Sequence, residues 1–173
     1  MNRIIRAIAF AADKHRDQRR KDANASPYIN HPIALANVLA NEAGVDDERV
    51  LIAAVLHDTI EDTETSEQEL VRVFGQEIAA IVLEVTDDKA LPKAERKRLQ
   101  IESAPDISRR AKLVKLADKI CNLRDVAGNQ PVGWSHERKQ EYFDWAKAVV
   151  DGLRGVHPEL ERLFDEAFKA RPR

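Results

Sequence analysis

The sequence predicts an all-α fold, a single globular bundle of roughly eight to ten helices over residues 1–173, with a core over about 5–155 and a helical tail over 156–173. Three observations carry this. Apolar residues recur at three- and four-residue steps, the period of one helix face. Almost no segment alternates with period two, as a half-buried strand would. The composition, 43% hydrophobic and 34% charged, is enough for a sizeable core under a well-solvated surface.

Ile4, Ile5, Ile8, Ala9 and Ala12 set a first helix over roughly 2–15. Residues 16–30 lose that periodicity, and Arg16, Arg19, Arg20 and Lys21 followed by Asn24, Ser26 and Pro27 read as a loop. His31-Pro32 opens the second helix, with proline where its missing N–H costs nothing, and Ile33, Leu35, Ala36, Val38 and Leu39 carry it to near Gly44. Asp46 or Asp47 caps a helix over 50–63. Thr65 or Ser66 caps a short helix ending near Gly75, with Ser66 and Glu69 spaced as a capping box. Ile78, Ile81, Val82 and Val85 continue to about Asp87, and 92–104 is a highly charged helix. Leu113, Leu116, Ile120 and Leu123 stripe a helix over 108–127. After a loop over 128–135, Ser135 caps a helix to about Leu153, and a last helix follows Pro158.

Composition excludes several classes. A net charge of −2 gives no whole-chain reason to expect nucleic-acid binding. No stretch approaches the ~18 apolar residues of a membrane span, and the N-terminus lacks the apolar core of a signal peptide. Cys121 is the only cysteine, so no internal disulfide forms, and a reducing, cytoplasmic location is expected. Its apolar helical setting suits a buried structural thiol. Nothing in the pattern identifies an oligomer interface.

The chemistry concentrates in 50–63, VLIAAVLHDTIEDT. Seven unbroken apolar residues make a helix that is apolar all round and therefore interior. They lead into His57, Asp58, Glu61 and Asp62, which three- and four-residue spacings place on adjoining parts of one face. An imidazole and three carboxylates crowded at the end of a core helix repel one another unless a cation joins them. His31, at a loop-to-helix entry, and Asp118, beside the stripe of the 108–127 helix, are the further candidate ligands. Two imidazoles with two carboxylates suit one divalent transition metal with positions left for water and substrate. Glu61 and Asp62, one turn on, are placed to orient or deprotonate a water. His15, His136 and His157 read as surface residues, and the run Arg96 to Arg98 as a solvated face. Arg20 and Lys21 stand apart, because the chain returns to His31 ten residues later; an arginine can stack on a base and a lysine can neutralise phosphate. Tyr28 adds an aromatic or hydroxyl contact, and Asn122 can bond a nucleotide or support Asp118.

The order His31, His57-Asp58, Asp118 resembles the HD superfamily of metal-dependent phosphohydrolases. RRKDANASPYINHP, HDTIEDT, VTDDKALPKAERKRLQ, KLVKLADKICNLRD and GWSHERKQEYFDWA are similar to the hydrolase domain of RelA/SpoT-type proteins. They most resemble its stand-alone form, the small alarmone hydrolases, which include the metazoan SpoT homologue. That resemblance covers about residues 5–155 and implies hydrolysis of the 3′-pyrophosphate of (p)ppGpp to GDP or GTP and pyrophosphate, usually with Mn²⁺. It implies His31, His57, Asp58 and Asp118 as metal ligands and Glu61 and Asp62 as the acids that activate water and handle protons. Arg20 and Lys21 become the nucleotide-facing pair, with Tyr28, Lys93, Asn122, Arg138 and Tyr142 as further pocket residues. The loop between Lys21 and Pro27 departs from the family in lacking its usual glycine, and no synthetase activity is expected. Two alternatives differ in kind: the same site acting on another nucleotide such as NADPH, and a non-catalytic HD module that senses a nucleotide.

Overall fold

The computed structural model describes residues 2–128 and 130–173. Among them the regular structure is helical: α1 (Asn2–Lys14), α2 (Asn30–Asn37), α3 (Glu48–Leu56), α4 (Thr59–Asp62), α5 (Glu67–Phe74), α6 (Gln76–Glu84), α7 (Lys93–Ser103), α8 (Arg109–Gly128), α9 (His136–Asp151) and α10 (Pro158–Phe168). The all-α expectation holds. The capping residues also stand where their chemistry puts them. Asp47 accepts from the Arg49 N–H, Ser66 from that of Glu69 and Ser135 from that of Arg138, each satisfying a helix-end donor. Glu69, the other half of the expected capping box, pairs its carboxylate with Lys14 of α1.

All of Val50 to Leu56 is buried, because α3 is flanked by α1, α2, α6 and α8 at once. That explains a helix with no polar face. α10, expected as a tail, lies along α8 and adds Leu160, Leu163 and Phe164 to the same buried cluster.

Two helices end differently from the sequence expectation. α2 passes into a π-turn over Val38–Glu42, where the Ala43 N–H donates to the Val38 carbonyl at 2.9 Å. The helix expected over 50–63 is broken at His57-Asp58 into α3 and α4. The break is built from side chains. His57 Nδ1 meets the Ala54 carbonyl at 2.7 Å and Thr59 Oγ1 donates to that of Leu56 at 2.7 Å, so carbonyls at the end of α3 are satisfied without a continuing helix.

The 16–30 loop is held by bridges from Arg19 to Pro27 and from Asp22 to Pro131, the second tying it to the loop after α8. Buried Asp22 organises it, accepting from the Ser26 N–H at 2.9 Å and the Ser26 hydroxyl at 2.6 Å. Ala25, within this loop, sits at φ +47°, a region that costs an L-residue about 1–2 kcal/mol. Glycine's greater freedom in the unfolded chain offsets part of that, about 0.5–1 kcal/mol. Ala25→Gly is therefore expected to stabilise the protein by about 0.5–1 kcal/mol, read as a higher urea midpoint at unchanged slope.

Candidate active site

Three elements bring the ligand candidates together. The start of α2 supplies His31, the break after α3 supplies His57 and Asp58, and the middle of α8 supplies Asp118. His31 Nε2 lies 3.0 Å from Asp118 Oδ1. His57 Nε2 is 2.9 Å from Asp58 Oδ2 and 3.5 Å from Asp118 Oδ1. Both imidazoles are buried. His57 Nδ1 faces a carbonyl and so carries a proton, which turns Nε2 toward the carboxylates. That Nε2 is buried without the alignment of a hydrogen bond to either. A buried ring nitrogen among carboxylate oxygens is a donor set that fits a cation, whether a proton or a metal. His31, His57 and Asp118 each offer a ligand atom within 4.8 Å of the others, as do Asp58, Glu61 and Asp62 beside them.

Neighbouring groups hold the ligand candidates in place. The Tyr28 hydroxyl donates to Asp58 Oδ2, and Asn122 Nδ2 donates to Asp118 Oδ1 at 3.1 Å. Asn122 thus holds Asp118 in place. Burial opposes the charge on Asp118, yet Lys119, His31 and His57 keep its carboxyl well below the usual range. Burial likewise opposes an imidazolium at His57, but Asp58 and Asp118 raise its pKa well above the ordinary value. In the metal-free protein a proton therefore stands where a cation fits. The proton must leave when the cation enters, so affinity is expected to climb with pH, about tenfold per unit for one proton, until His57 deprotonates unaided. Metal dissociation constants at pH 6 and pH 8 check this.

Glu61 and Asp62 line the same cavity but are held differently. Glu61 Oε1 accepts from the Asp87 N–H at 2.7 Å, and burial pushes its carboxyl up to about 7. Asp62 pairs with Lys89 at 2.9 Å. Behind them Lys115 of α8 is buried, and burial lowers its ammonium to about 8.

Two cavities share the walls Arg20, Tyr28, Asp62, Asn122 and Tyr142. One, of about 260 Å³, is lined by His31, Asp58, Asp118 and the α7 cations, while His57 lines an adjoining pocket with Asp58, Glu61 and Asp118. The other, of about 350 Å³, opens between the 16–30 loop, Trp134 and Asp125. Arg20, paired with Asp125, has its guanidinium 5.6 Å from the Tyr28 ring centre, and exposed Lys21 sits at the mouth. Lys93 lines the smaller cavity, whereas Arg138 lines neither and stacks at 4.0 Å on Trp134 at the rim.

Two expectations are corrected. His15 is buried, its ring 4.8 Å from that of Tyr28 and its Nδ1 2.8 Å from Gln18 Oε1, because the 16–30 loop folds over it. Arg96 and Lys97 are half-buried and face the ligand cavity; only Arg98 is on the solvated face, paired with Glu95 and Glu102. Lys119, Trp145 and Gln100, none of them picked out from sequence, complete that wall. The signal available was Lys119 itself, a lysine beside Asp118 within a helix of otherwise buried neighbours. Cys121 is buried as expected, its thiol pushed up to about 12 by burial.

Imidazoles and carboxylates from separate helices, gathered round one point beneath a nucleotide-sized cleft, are the mark of a helical metallohydrolase. The family model described as HD domain matches residues 7–145, and the chain belongs to the HD-domain family. A Xenopus tropicalis protein named guanosine-3′,5′-bis(diphosphate) 3′-pyrophosphohydrolase MESH1 is 57% identical over 165 residues, covering 95% of this chain and 92% of that protein. Its Homo sapiens namesake is 56% identical over 168 residues, with 97% and 94% covered. A solved structure described as a metazoan orthologue of SpoT that hydrolyzes ppGpp matches with a TM-score of 0.95 at 51% identity, covering 99% of this chain and 96% of that one.

Proposed function

We propose that this protein hydrolyses the 3′-pyrophosphate of (p)ppGpp, releasing GDP or GTP and pyrophosphate. The observation that carries it is the juxtaposition of the His31, His57, Asp58 and Asp118 cluster with the Glu61-Asp62 pair on one side and unneutralised cations on the other. The likeness to proteins named for that reaction supports it. A divalent cation held by those four residues, Mn²⁺ in our reading, would supply the positive charge that polarises the phosphoryl oxygens and acidifies water. The chain does the rest. Arg20, Tyr28 and Tyr142 offer faces for the base, while Lys21, Lys93 and Arg138 offset phosphate charge at the mouth and rim. Glu61, with a pKa near neutrality, takes the proton of the attacking water and returns it to the departing ribose 3′-oxygen as its bond to phosphorus breaks. Asp62, anchored by Lys89, orients that water. No helix among the described residues is long and apolar enough to cross a membrane, and a lone buried thiol suits our placement of the protein in the cytosol.

Metal-stripped protein given ppGpp, with Mn²⁺ added or withheld, tests the reading. Equimolar GDP and pyrophosphate, formed only with metal, is the expected result. No turnover while metal is bound would overturn it and make NADPH the next substrate to try.

A further inference from the structure

The wall that α7 and α8 give the ligand cavity carries more positive charge than metal ligation or helix packing accounts for. Lys93, Arg96 and Lys97 come from α7 and Lys119 from α8. Among the described residues no carboxylate forms an ion pair with Lys93, Arg96 or Lys97. Lys119, almost fully buried, has only Asp118 Oδ2, at 3.5 Å. The Arg96 Nε is buried without a hydrogen-bond partner.

These cations are also held in position. The Trp145 indole N–H of α9 donates to the Lys97 carbonyl at 3.1 Å, locking α7 against α9. The same ring takes the Lys119 ammonium at 4.2 Å and that of Lys97 at 5.0 Å from its centre. Burial, with Lys93 and Arg138 nearby, lowers the pKa of Lys97, and exposed Glu141 is the acid that opposes this. Fixed, partly desolvated cations in excess of their acids form a site that an anion completes.

We propose that Arg96, Lys97 and Lys119 seat the outer phosphate of a 3′-diphosphate and so make the enzyme prefer a diphosphate to a monophosphate at that position. This rests on the hydrolase reading. The phosphorus attacked must lie at the ligand cluster, within reach of Glu61. The outer phosphate is then the next group along, and the cation wall begins one contact from the cluster, at Lys119 beside Asp118. A 3′-monophosphate fills the cluster and leaves the wall unpaired, forfeiting its charge-assisted hydrogen bonds.

The test uses full-length, metal-loaded protein, with ppGpp compared against the analogue bearing a single 3′-phosphate. In the double variant Arg96→Met/Lys97→Met, the ratio of kcat/KM for diphosphate over monophosphate is expected to fall at least about tenfold, chiefly through KM for the diphosphate. Arg98→Met, on the same helix but turned to solvent, keeps the wild-type ratio. Inorganic pyrophosphate binding to metal-free protein, followed by calorimetry, should weaken about tenfold in the double variant, and inorganic phosphate binding by less. An unchanged ratio, or an equal loss for both substrates, overturns the seat. Should wild-type protein not turn over ppGpp while pyrophosphate binding still depends on Arg96 and Lys97, the hydrolase reading falls and the anion seat stands.

Discussion

His57→Ala is expected to abolish the stabilisation that added Mn²⁺ gives and to lower turnover by at least about 10³-fold. Ligand binding to the native state alone stabilises it by about 2.7 kcal/mol at a hundred times the dissociation constant, so the wild-type protein should melt higher in Mn²⁺. His57 contributes a nitrogen whose other ring position is already fixed by the Ala54 carbonyl, and Asp58 and Asp118 both converge on it. Removing it leaves two carboxylates facing each other across a gap. The same change also deletes a buried ring, which costs stability with or without metal. The discriminating quantity is therefore the difference in melting temperature between metal-loaded and metal-free protein, with metal content of the purified variant as a second reading. A variant that gains as much from Mn²⁺ as wild type would remove His57 from the ligand set. His57→Gln, closer in volume, separates loss of the ring from loss of the ligand.

How much of this site could be read from the chain follows from where each residue's partners lie. The ligand candidates were legible because a wholly apolar run leading into His57-Asp58 is physically costly without a cation. Asp47, Ser66 and Ser135 were legible because capping is local chemistry. The break at His57 was not, since its cause is a pair of side-chain bonds to the Ala54 and Leu56 carbonyls that no periodicity reports. His15 is invisible for the opposite reason, being buried by a loop that returns from the distant Asp22–Pro131 bridge. α7 shows the sharpest limit. It has no buried residue and reads as a solvated charge run, yet Arg96 and Lys97 line the cavity, Lys97 against the Tyr142 and Trp145 rings of α9, while Arg98 does not. The face of α7 that looks inward is set by partners distant in sequence, Trp145 of α9, which donates to the Lys97 carbonyl, and Asp87, which accepts from Gln100.

The Glu61-Asp62 pair is expected to separate chemistry from metal binding. Asp62→Asn should remove most turnover, by about 10²–10⁴-fold, while leaving metal affinity and the Mn²⁺-induced rise in melting temperature near wild type. Asp62 is held by Lys89, and although its carboxylate comes within 4.8 Å of that of Asp58 it is not one of the four proposed donors, so neutralising it leaves His31, His57, Asp58 and Asp118 in place. Glu61→Gln should lose turnover by a similar factor, and the two variants should differ in pH dependence. Burial places the Glu61 carboxyl near neutrality in the metal-free protein, and a nearby cation favours its ionised form and moves the transition downward. Wild-type kcat/KM should then fall as pH drops and Glu61 takes up its proton. A glutamine cannot titrate, so that limb should vanish in Glu61→Gln and persist, at a lower level, in Asp62→Asn. If the limb survives in Glu61→Gln and disappears in Asp62→Asn, the roles are reversed and Asp62 is the base. Should it survive in both, the titrating group lies outside the pair, and neither Glu61 nor Asp62 is the group that sets the limb.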